Sequence, residues 1–491
     1  YKRQGDAPVK EGTMRISEHP VLKFRRPRKV TFFFDGRKIE AYEGETIAAA
    51  LHAAGIRILS RTKSGRVRGL FCTIGKCSSC LVTVDGIPNV KSCVTLVQDG
   101  MRVESQRGPG KIDPDFRPRM AGPPLEREAE VAIVGAGPAG LSAAKAFLEH
   151  GVRPVLLDEN PHPGGQLIKQ THKFFGSRAE RAGTCGVTIA QELIAEVRDE
   201  VELLSGAQVL GLYEDEGRTL AVAHGGRLLL VRAEHLIVAT GAEERFLLFP
   251  GNDLPGVYGA GAVQTLMNVY GIKPGERALM VGAGNVGLIV SYQLLQAGVE
   301  VAAVVEAAPR IGGYHVHAAK IRRLGVPILT SHTVVRALGE GEVEGAVIAQ
   351  LDERFRPIPG TEREFEVDTI CLAVGLTPST RLVEQAGAKM AYVPELGGRV
   401  PLHDEGMETT VPGLYVAGDC AGIGEASTAM LEGRIAALSL LARLGQKVDD
   451  ELAAAQRSLA QLRKGPFGER PRRGKERLRS LMKEVACGKL S

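Results

Sequence analysis

No apolar run in the 491 residues approaches the roughly 18 that a membrane-spanning helix requires, so a bilayer span is excluded at the outset. Aromatics are scarce, at 5% with no tryptophan, and neither basic end of the chain interleaves them or carries a known nucleic-acid motif. Nucleic-acid arms are therefore set aside in favour of solvated tails or subunit docking. Cysteine is sparse as well: there are eight, and none after Cys93 has another close by in sequence, which removes the paired thiols that disulfide reduction needs. The start, "YKRQGDAPVK", has no apolar core of a secretory signal, so the cytoplasm is the expected location. It also begins at Tyr1 rather than Met, and a few native residues are expected to precede it.

What is abundant is glycine, 60 residues against a usual share of about 7%. Many close backbone approaches follow, as nucleotide sites require. The net charge of +5 is confined to the ends: residues 1–30 carry +6 and 463–483 carry +7, leaving the rest of the chain at −8. The length allows two or three cores, at roughly 100 to 200 residues per domain.

Along the chain, "KVTFFFDGRKIEAYEGET" places Val30, Phe32 and Phe34 before Asp35-Gly36, a two-residue hairpin signal, with Ile39 and Ala41 alternating on the return. "ETIAAALHAAG" predicts a short helix closed by Gly55, and "CLVTVDGIPNVKSC" a second hairpin turning at Asp85-Gly86 and returning the chain to Cys93. This order fits a β-grasp sheet with one helix. A Pro- and Gly-rich linker follows, and from Glu130 the pattern of apolar strand, glycine turn and helix occurs twice, predicting two parallel α/β nucleotide folds. Beyond about Leu444 the chain turns polar and basic, and Pro466 and Pro471 are expected to break any long helix there, leaving a peripheral tail.

The first glycine turn is "EVAIVGAGPAGLSAAKAFLEHGVRPVLLDEN". Gly135 permits the sharp turn, Gly137 the approach of a pyrophosphate, and Gly140 the packing of helix on strand. Asp158, about 20 residues on, is placed to accept ribose hydroxyls, with Glu159 able to share that role. Glycine turns also serve packing alone, but here strand, turn, helix, strand and acid come in order. The second turn, "RALMVGAGNVGLIVSYQLLQAGVEVAAVVE", repeats the design with Gly282, Gly284, Gly287 and Glu306. An acid there repels a ribose 2′-phosphate and favours NAD(H) over NADP(H), although Arg310 nearby argues the other way. A second fold that binds nothing is the alternative.

Cys72, Cys77 and Cys80, in "FCTIGKCSSC", have the C-x4-C-x2-C spacing of plant-type [2Fe–2S] sites, and Cys93 completes four thiolates across a hairpin. Structural zinc usually pairs two knuckles, and only one is present. An intracellular setting disfavours a disulfide. Cys185, Cys371, Cys420 and Cys487 are solitary. His162, His172, His315 and His317 have no accompanying carboxylate motif, the last two sharing a face only if extended, and no general base is visible; catalytic residues stay unassigned.

"LIVATGAEER", "CLAVGLTPST" and "TTVPGLYVAGDCAGIGEASTAMLEGRIAA" together resemble the two-dinucleotide-binding-domain flavoproteins, and "GGQL" is similar to their thioredoxin-reductase branch. That resemblance, over residues 130 to about 440, implies cofactor contacts from Pro138, Ala139, Gly165, Gln166, Thr240, Gly241, Asn285 and Gly418. It implies that Asp419 holds a flavin ribityl chain, and that a helix starting near Glu425 or Ala426 points its positive end at the flavin pyrimidine. With the cysteine module added, residues from about 21 to 440 resemble the alpha chains of amine and imino-acid oxidoreductases built from several subunits: sarcosine oxidase, opine oxidase, hydrogen cyanide synthase and dye-linked proline or hydroxyproline dehydrogenases. The resemblance implies a partner beta chain of FAD-dependent amine-oxidase type in a hetero-oligomer such as α4β4, an electron acceptor, FMN at the interface between the chains, and NAD or another adenine nucleotide in place of FAD at the first turn of some relatives. Several relatives carry large folate-binding domains that are not read in this sequence, so a dehydrogenase is expected over a folate-linked sarcosine oxidase.

The expected fold class is α/β, two Rossmann-like domains of glutathione/thioredoxin-reductase type behind a small β-grasp ferredoxin-like domain. Its expected parts are a basic tail 1–20, a [2Fe–2S] domain 21–108, a linker 109–128, an FAD-type domain 129–245 and 376–444, an NAD-type domain 246–375 and a basic tail 445–491. The expected function is electron relay from a partner's flavin through nucleotide cofactors and the cluster. The alternatives are a self-sufficient NADH-dependent flavin and iron–sulfur oxidoreductase, or a scaffold with structural nucleotide.

Overall fold

The computed structural model describes residues 14–111, 122–174, 181–213, 218–465 and 468–486. The chain divides into two compact units, residues 1–117 with 244–374, and 118–243 with 375–491.

In the first unit the hairpin Lys29–Phe34 and Arg37–Tyr42 forms as expected, with Asp35 and Gly36 both at positive φ, 47° and 81°. That is the left-handed pair whose twist matches the strands. Asp85 and Gly86 repeat it between Leu81–Val84 and Ile87–Lys91. The strand Arg102–Arg107 lies parallel to Lys29–Phe34 and closes the β-grasp sheet. The helix Ile47–Ala53 starts at Thr46, whose hydroxyl accepts the Ala49 N–H, and ends before Gly55 at φ 78°. The Ala-rich sequence lets it lie flat: every residue of the helix is buried.

A five-stranded parallel sheet makes the second half of this unit, in the order Val257–Gly259, Thr369–Leu372, Arg277–Val281, Glu300–Glu306 and Ile328–Thr330. The two halves are not separate bodies. One core joins Ile47, Leu51 and Val82 with Tyr258, Val263 and Leu266. His52 lies against the Lys273 and Pro274 carbonyls at 3.1 and 3.2 Å, and burial pushes its pKa down to about 3, so a neutral imidazole fills the joint. Arg57 pairs with Asp368 at 3.2 Å across the same seam.

The second unit centres on the sheet Glu202–Ser205, Val155–Asp158, Leu125–Val134, Arg227–Val238, Arg218–His224 and Gln208–Tyr213, with Leu414–Val416 also paired to Arg227–Val238. The helices Pro138–Glu149 and Ala426–Arg443 pack on it, and the contact depends on Gly433, where a Cβ would stand 2.0 Å from the Ala139 carbonyl oxygen.

The expectation of a peripheral C-terminal tail is corrected. Residues Asp449–Leu462 and Glu469–Ala486 are helices, and in the second of them Lys475 and Leu478 are buried, at 8% and 1% exposure. Pro471 does not break that helix because it lies in the first turn, where a missing N–H costs no helical bond. Pro466 and Cys487 lie outside the described residues.

Candidate functional site

The cysteine loop gathers its four thiols. Cys77 and Cys93 both hydrogen-bond to the Cys72 sulfur, and Cys93 also to Cys80, so the four form a chain of contacts. Those bonds pull Cys72 and Cys80 below the usual thiol range and hold Cys77 and Cys93 above it. Cys72, Cys80 and Cys93 are buried, and Cys77 is half-buried. Thr73, Gly75 and Ser78 have φ of 54°, 73° and 56°, curling the loop so that backbone donors turn inward. The Cys77 N–H donates to the Cys72 Sγ at 3.4 Å, and the Ser92 hydroxyl holds the Cys80 carbonyl at 2.6 Å. Among the described residues, no three His, Cys, Asp or Glu side chains are arranged for a single metal ion, whereas a [2Fe–2S] rhomb asks for two thiolates at each of two irons. A loop of four thiols with N–H donors on sulfur fits that group. Cys77 also stands in the wall of a cavity of about 570 Å³, with Ser79, Leu81, Arg68 and the stacked pair Phe71 and Phe246, whose ring centroids are 4.5 Å apart.

The two glycine turns have the same geometry. A Cβ on Gly135, at φ 109°, would sit 2.3 Å from the Ala239 carbonyl oxygen, and one on Gly140 would sit 1.8 Å from that of Gly135. Gly282 and Gly287 repeat these contacts at 2.3 Å from the Ala373 oxygen and 1.9 Å from that of Gly282. At the middle positions nothing lies within 4 Å of a Cβ on Gly284, and only the Gly165 Cα, at 3.8 Å, near one on Gly137. Outer glycines are needed by the fold, and middle ones leave space that a phosphate group would fill. Gly137 and Gly284 cap the helices Pro138–Glu149 and Asn285–Gln296, whose N-termini face that space with unpaired N–H groups.

Around the first turn, the "GGQL" segment is brought alongside: Gly164 N–H donates to the Ala136 carbonyl at 2.7 Å, and Gly165 abuts Gly137. Gln166 is exposed. Thr240 donates to the Ser379 carbonyl at 2.7 Å, and the Ser379 N–H to the Gly241 carbonyl at 2.9 Å, which ties those two segments together. Gly418 packs against Ala139. Around the second turn, the Asn285 amide oxygen accepts the Tyr314 N–H at 2.8 Å.

The acids at the two strand ends also bond to the turns they follow. Asp158 is 6% exposed and turns one oxygen to the Ala136 N–H at 2.7 Å and the other to the Asn160 N–H at 2.8 Å, so it braces the glycine loop, and a carboxylate so held still has lone pairs for a ribose hydroxyl. Glu306 does the same with the Ala283 and Ala308 N–H groups at 2.7 and 2.9 Å.

Asp419 is half-buried, accepts the Gly424 N–H at 2.9 Å, and is pushed up to about 6 by burial, with Glu432 adding repulsion. The helix behind it begins at Ala426, capped by Glu425 and Thr428. A carboxyl whose folded pKa is raised binds more protons in the folded state, so its stabilising contribution is whole below about pH 4 and is lost as pH rises to about 6. Asp419→Asn is therefore expected to stabilise the cofactor-free chain at pH 7 by up to about 2 kcal/mol, discounted for partial exposure. Urea midpoints at pH 4 and pH 7 check this: the variant's advantage must be present at pH 7 and vanish at pH 4.

His315 and His317 lie in the helix His315–Arg323, where two-residue spacing sends them to different faces, and His317 packs edge-on to Tyr314. Cys185, Cys371 and Cys420 are free thiols, Cys371 fully buried in its strand.

Comparison with known proteins agrees with this geometry. Residues 129–433 match the pyridine nucleotide-disulphide oxidoreductase model, and residues 27–108 the 2Fe-2S iron-sulfur cluster binding domain. Similar proteins include the A-type subunit of opine oxidase from Rhizobium meliloti (strain 1021), 32% identical over 66% of this chain and 73% of that one. The alpha subunit of sarcosine oxidase from Corynebacterium sp. (strain P-1) is 28% identical over 85% of this chain, which spans only 44% of that protein's length. The HcnB subunit of hydrogen cyanide synthase from Pseudomonas aeruginosa is 30% identical over 63% of this chain and 70% of its own. L-Proline dehydrogenase from P. horikoshii superposes with a TM-score of 0.71 at 25% identity, over 90% of this chain and 79% of that one. Thioredoxin reductase from T. acidophilum shares the fold, with a TM-score of 0.54 at 22% identity over 65% of this chain and all of that one. The chain is thus an oxidoreductase that belongs to the pyridine nucleotide-disulphide oxidoreductase family, carrying an N-terminal 2Fe-2S domain and homologous to the alpha-type subunits of sarcosine and opine oxidases.

Proposed function

We propose that this chain is the electron-transferring alpha subunit of an FAD-dependent amine or imino-acid dehydrogenase complex, acting on a sarcosine-, proline-, hydroxyproline- or opine-like donor in the cytoplasm. The observation that carries this reading is a four-thiol loop built into the same compact unit as a nucleotide-type sheet, in a chain whose described cysteines beyond Cys93 are free. Bound FAD would supply two-electron chemistry, and a [2Fe–2S] cluster would pass electrons on singly.

Cys72, Cys77, Cys80 and Cys93 hold the cluster. Gly135, Gly137 and Gly140 admit the pyrophosphate of FAD or another adenine nucleotide, Asp158 takes the ribose with Glu159 beside it, and Asp419 takes the ribityl chain. The relatives are named as subunits, which supports a hetero-oligomer with a beta chain of FAD-dependent amine-oxidase type, in a form such as α4β4 with FMN at the interface. Purification from the native source with cofactor extraction tests this: a second, FAD-containing chain is expected to co-purify. A single pure chain that oxidises the amine unaided overturns it.

The matched geometry of the second glycine turn favours one other reading, in which NADH binds at Gly282, Gly284 and Gly287 and reduces a flavin in the same chain. Stopped-flow mixing with NADH separates the two, because rapid flavin bleaching in the isolated chain occurs only in the second.

A further inference from the structure

Behind the Gly418–Ala421 turn lies a group of charges that the sequence spreads over three distant segments. Glu432, in the helix Ala426–Arg443, is 2% exposed, and its Oε2 accepts the Gly418 N–H at 3.0 Å. Its Oε1 meets Arg463 at 2.5 Å and the Lys475 ammonium at 3.2 Å. Lys475 also donates to the Ala421 carbonyl at 3.1 Å and lies 3.0 Å from the His403 Nε2. The other His403 nitrogen faces the Pro401 carbonyl at 2.9 Å, so Nδ1 carries the proton and Nε2 accepts from Lys475. Burial, with the Lys475 charge beside it, brings His403 down to about 3 and keeps it a neutral acceptor.

All three ammonium protons of Lys475 therefore have partners, the condition under which a buried charge is tolerated. Two of the partners bear on one short turn. Ala421 is its last residue, and Glu432 holds its first, Gly418, by the backbone N–H. Between them is Asp419, the residue proposed to hold a ribityl chain. The helix bearing Lys475 is fixed independently of this charge, because Leu478 sits in a core with Val393, Leu396, Val400 and Leu402.

We infer that Lys475 is a positioning residue of the nucleotide site: it fastens the Gly418–Ala421 turn at both ends, through Glu432 and directly at Ala421, and so sets where Asp419 meets the bound dinucleotide. The segment after residue 444 is then a working part of the site and not an appendage. This inference rests on the reading that a flavin or adenine nucleotide binds at the first glycine turn.

The test compares two substitutions on one helix in the full chain. Lys475→Met removes the ammonium and keeps the stem, whereas Leu478→Ala loosens the helix without touching the charges. FAD affinity is followed by flavin fluorescence, together with the absorption spectrum of bound flavin and the melting temperature of the cofactor-free chain. Lys475→Met is expected to weaken FAD at least tenfold and to shift the bound-flavin bands. Leu478→Ala is expected to lower the melting temperature while leaving affinity within about twofold and the bands unmoved. Equal losses of affinity in the two variants, or wild-type affinity in Lys475→Met, overturn the inference. If Lys475→Met does not fold, Arg463→Met, which leaves Lys475 to face Glu432, takes its place with an expected loss of about threefold, and unchanged affinity and bands there overturn the inference equally. If the unmodified chain binds NAD but not FAD, the flavin assignment fails, and the same comparison made with NAD, a dinucleotide that likewise extends past the pyrophosphate, still decides the role of Lys475.

Discussion

Replacing Cys72 with serine is expected to strip the chain of its iron. Cys72 is approached by two other thiols and a backbone N–H, so it is one of the two inner members of the chain of four. A serine hydroxyl is a poorer ligand for iron than a thiolate, and three remaining thiols leave one iron without its second protein ligand. Iron and acid-labile sulfide should fall from about two per chain to near zero, with loss of the visible absorption and of the reduced-state paramagnetic signal. Because cluster binding is also folding free energy for its domain, the melting of the first unit should drop by several degrees. Cys371→Ser is the control: that thiol is fully buried in an apolar strand and unrelated to the loop, so iron content should be unchanged. Full iron in Cys72→Ser, or loss of iron in Cys371→Ser, contradicts the assignment of the site.

The second large effect concerns the first glycine turn, where Gly137 and Gly140, three positions apart, should fail for opposite reasons. Gly140→Ala forces a methyl to within 1.8 Å of the Gly135 carbonyl oxygen, a backbone atom that cannot step aside. The helix must leave the sheet, and a loss of about 3 kcal/mol or more is expected, seen as a fall in the urea midpoint together with loss of bound nucleotide. Gly137→Ala meets nothing nearer than 3.8 Å and has φ −81°, which any residue adopts. Stability should stay within about 0.5 kcal/mol of the parent, while nucleotide affinity falls, because the methyl enters the space a pyrophosphate would occupy. Should Gly137→Ala bind FAD and ADP as tightly as the parent, the first turn is not a phosphate site.

Much of this was legible in order along the chain. The Asp35-Gly36 and Asp85-Gly86 turns, the helix closed by Gly55 and the repeated glycine turns are all decided by residues within a few positions of one another, since positive φ, strand alternation and helix ends are local properties. The cysteine spacing is local too, apart from Cys93, and a hairpin with its own turn signal brings Cys93 back. The acids at the ends of the two strands were harder to place. Spacing puts Asp158 and Glu306 beside the glycine loops, but that each carboxylate also holds a loop N–H, of Ala136 or of Ala283, depends on side-chain direction, which spacing does not encode.

Two features lay beyond any local reading. The cysteine module and the second nucleotide sheet share one core, because the helix Ile47–Ala53, apolar but for His52, is buried on all sides and must be covered by something outside its own sheet. The polar, basic composition after residue 444 pointed to a tail, since a lysine is rarely buried unless paired. Lys475 is paired, with His403 72 positions away and Ala421 54 positions away. By itself, then, the sequence determined which motifs are present, four thiols and two glycine turns of nucleotide-binding pattern, because those are written in short-range spacing. Only the tertiary structure decided which charges stand behind them, because a buried ammonium is stable only where distant segments meet to satisfy it.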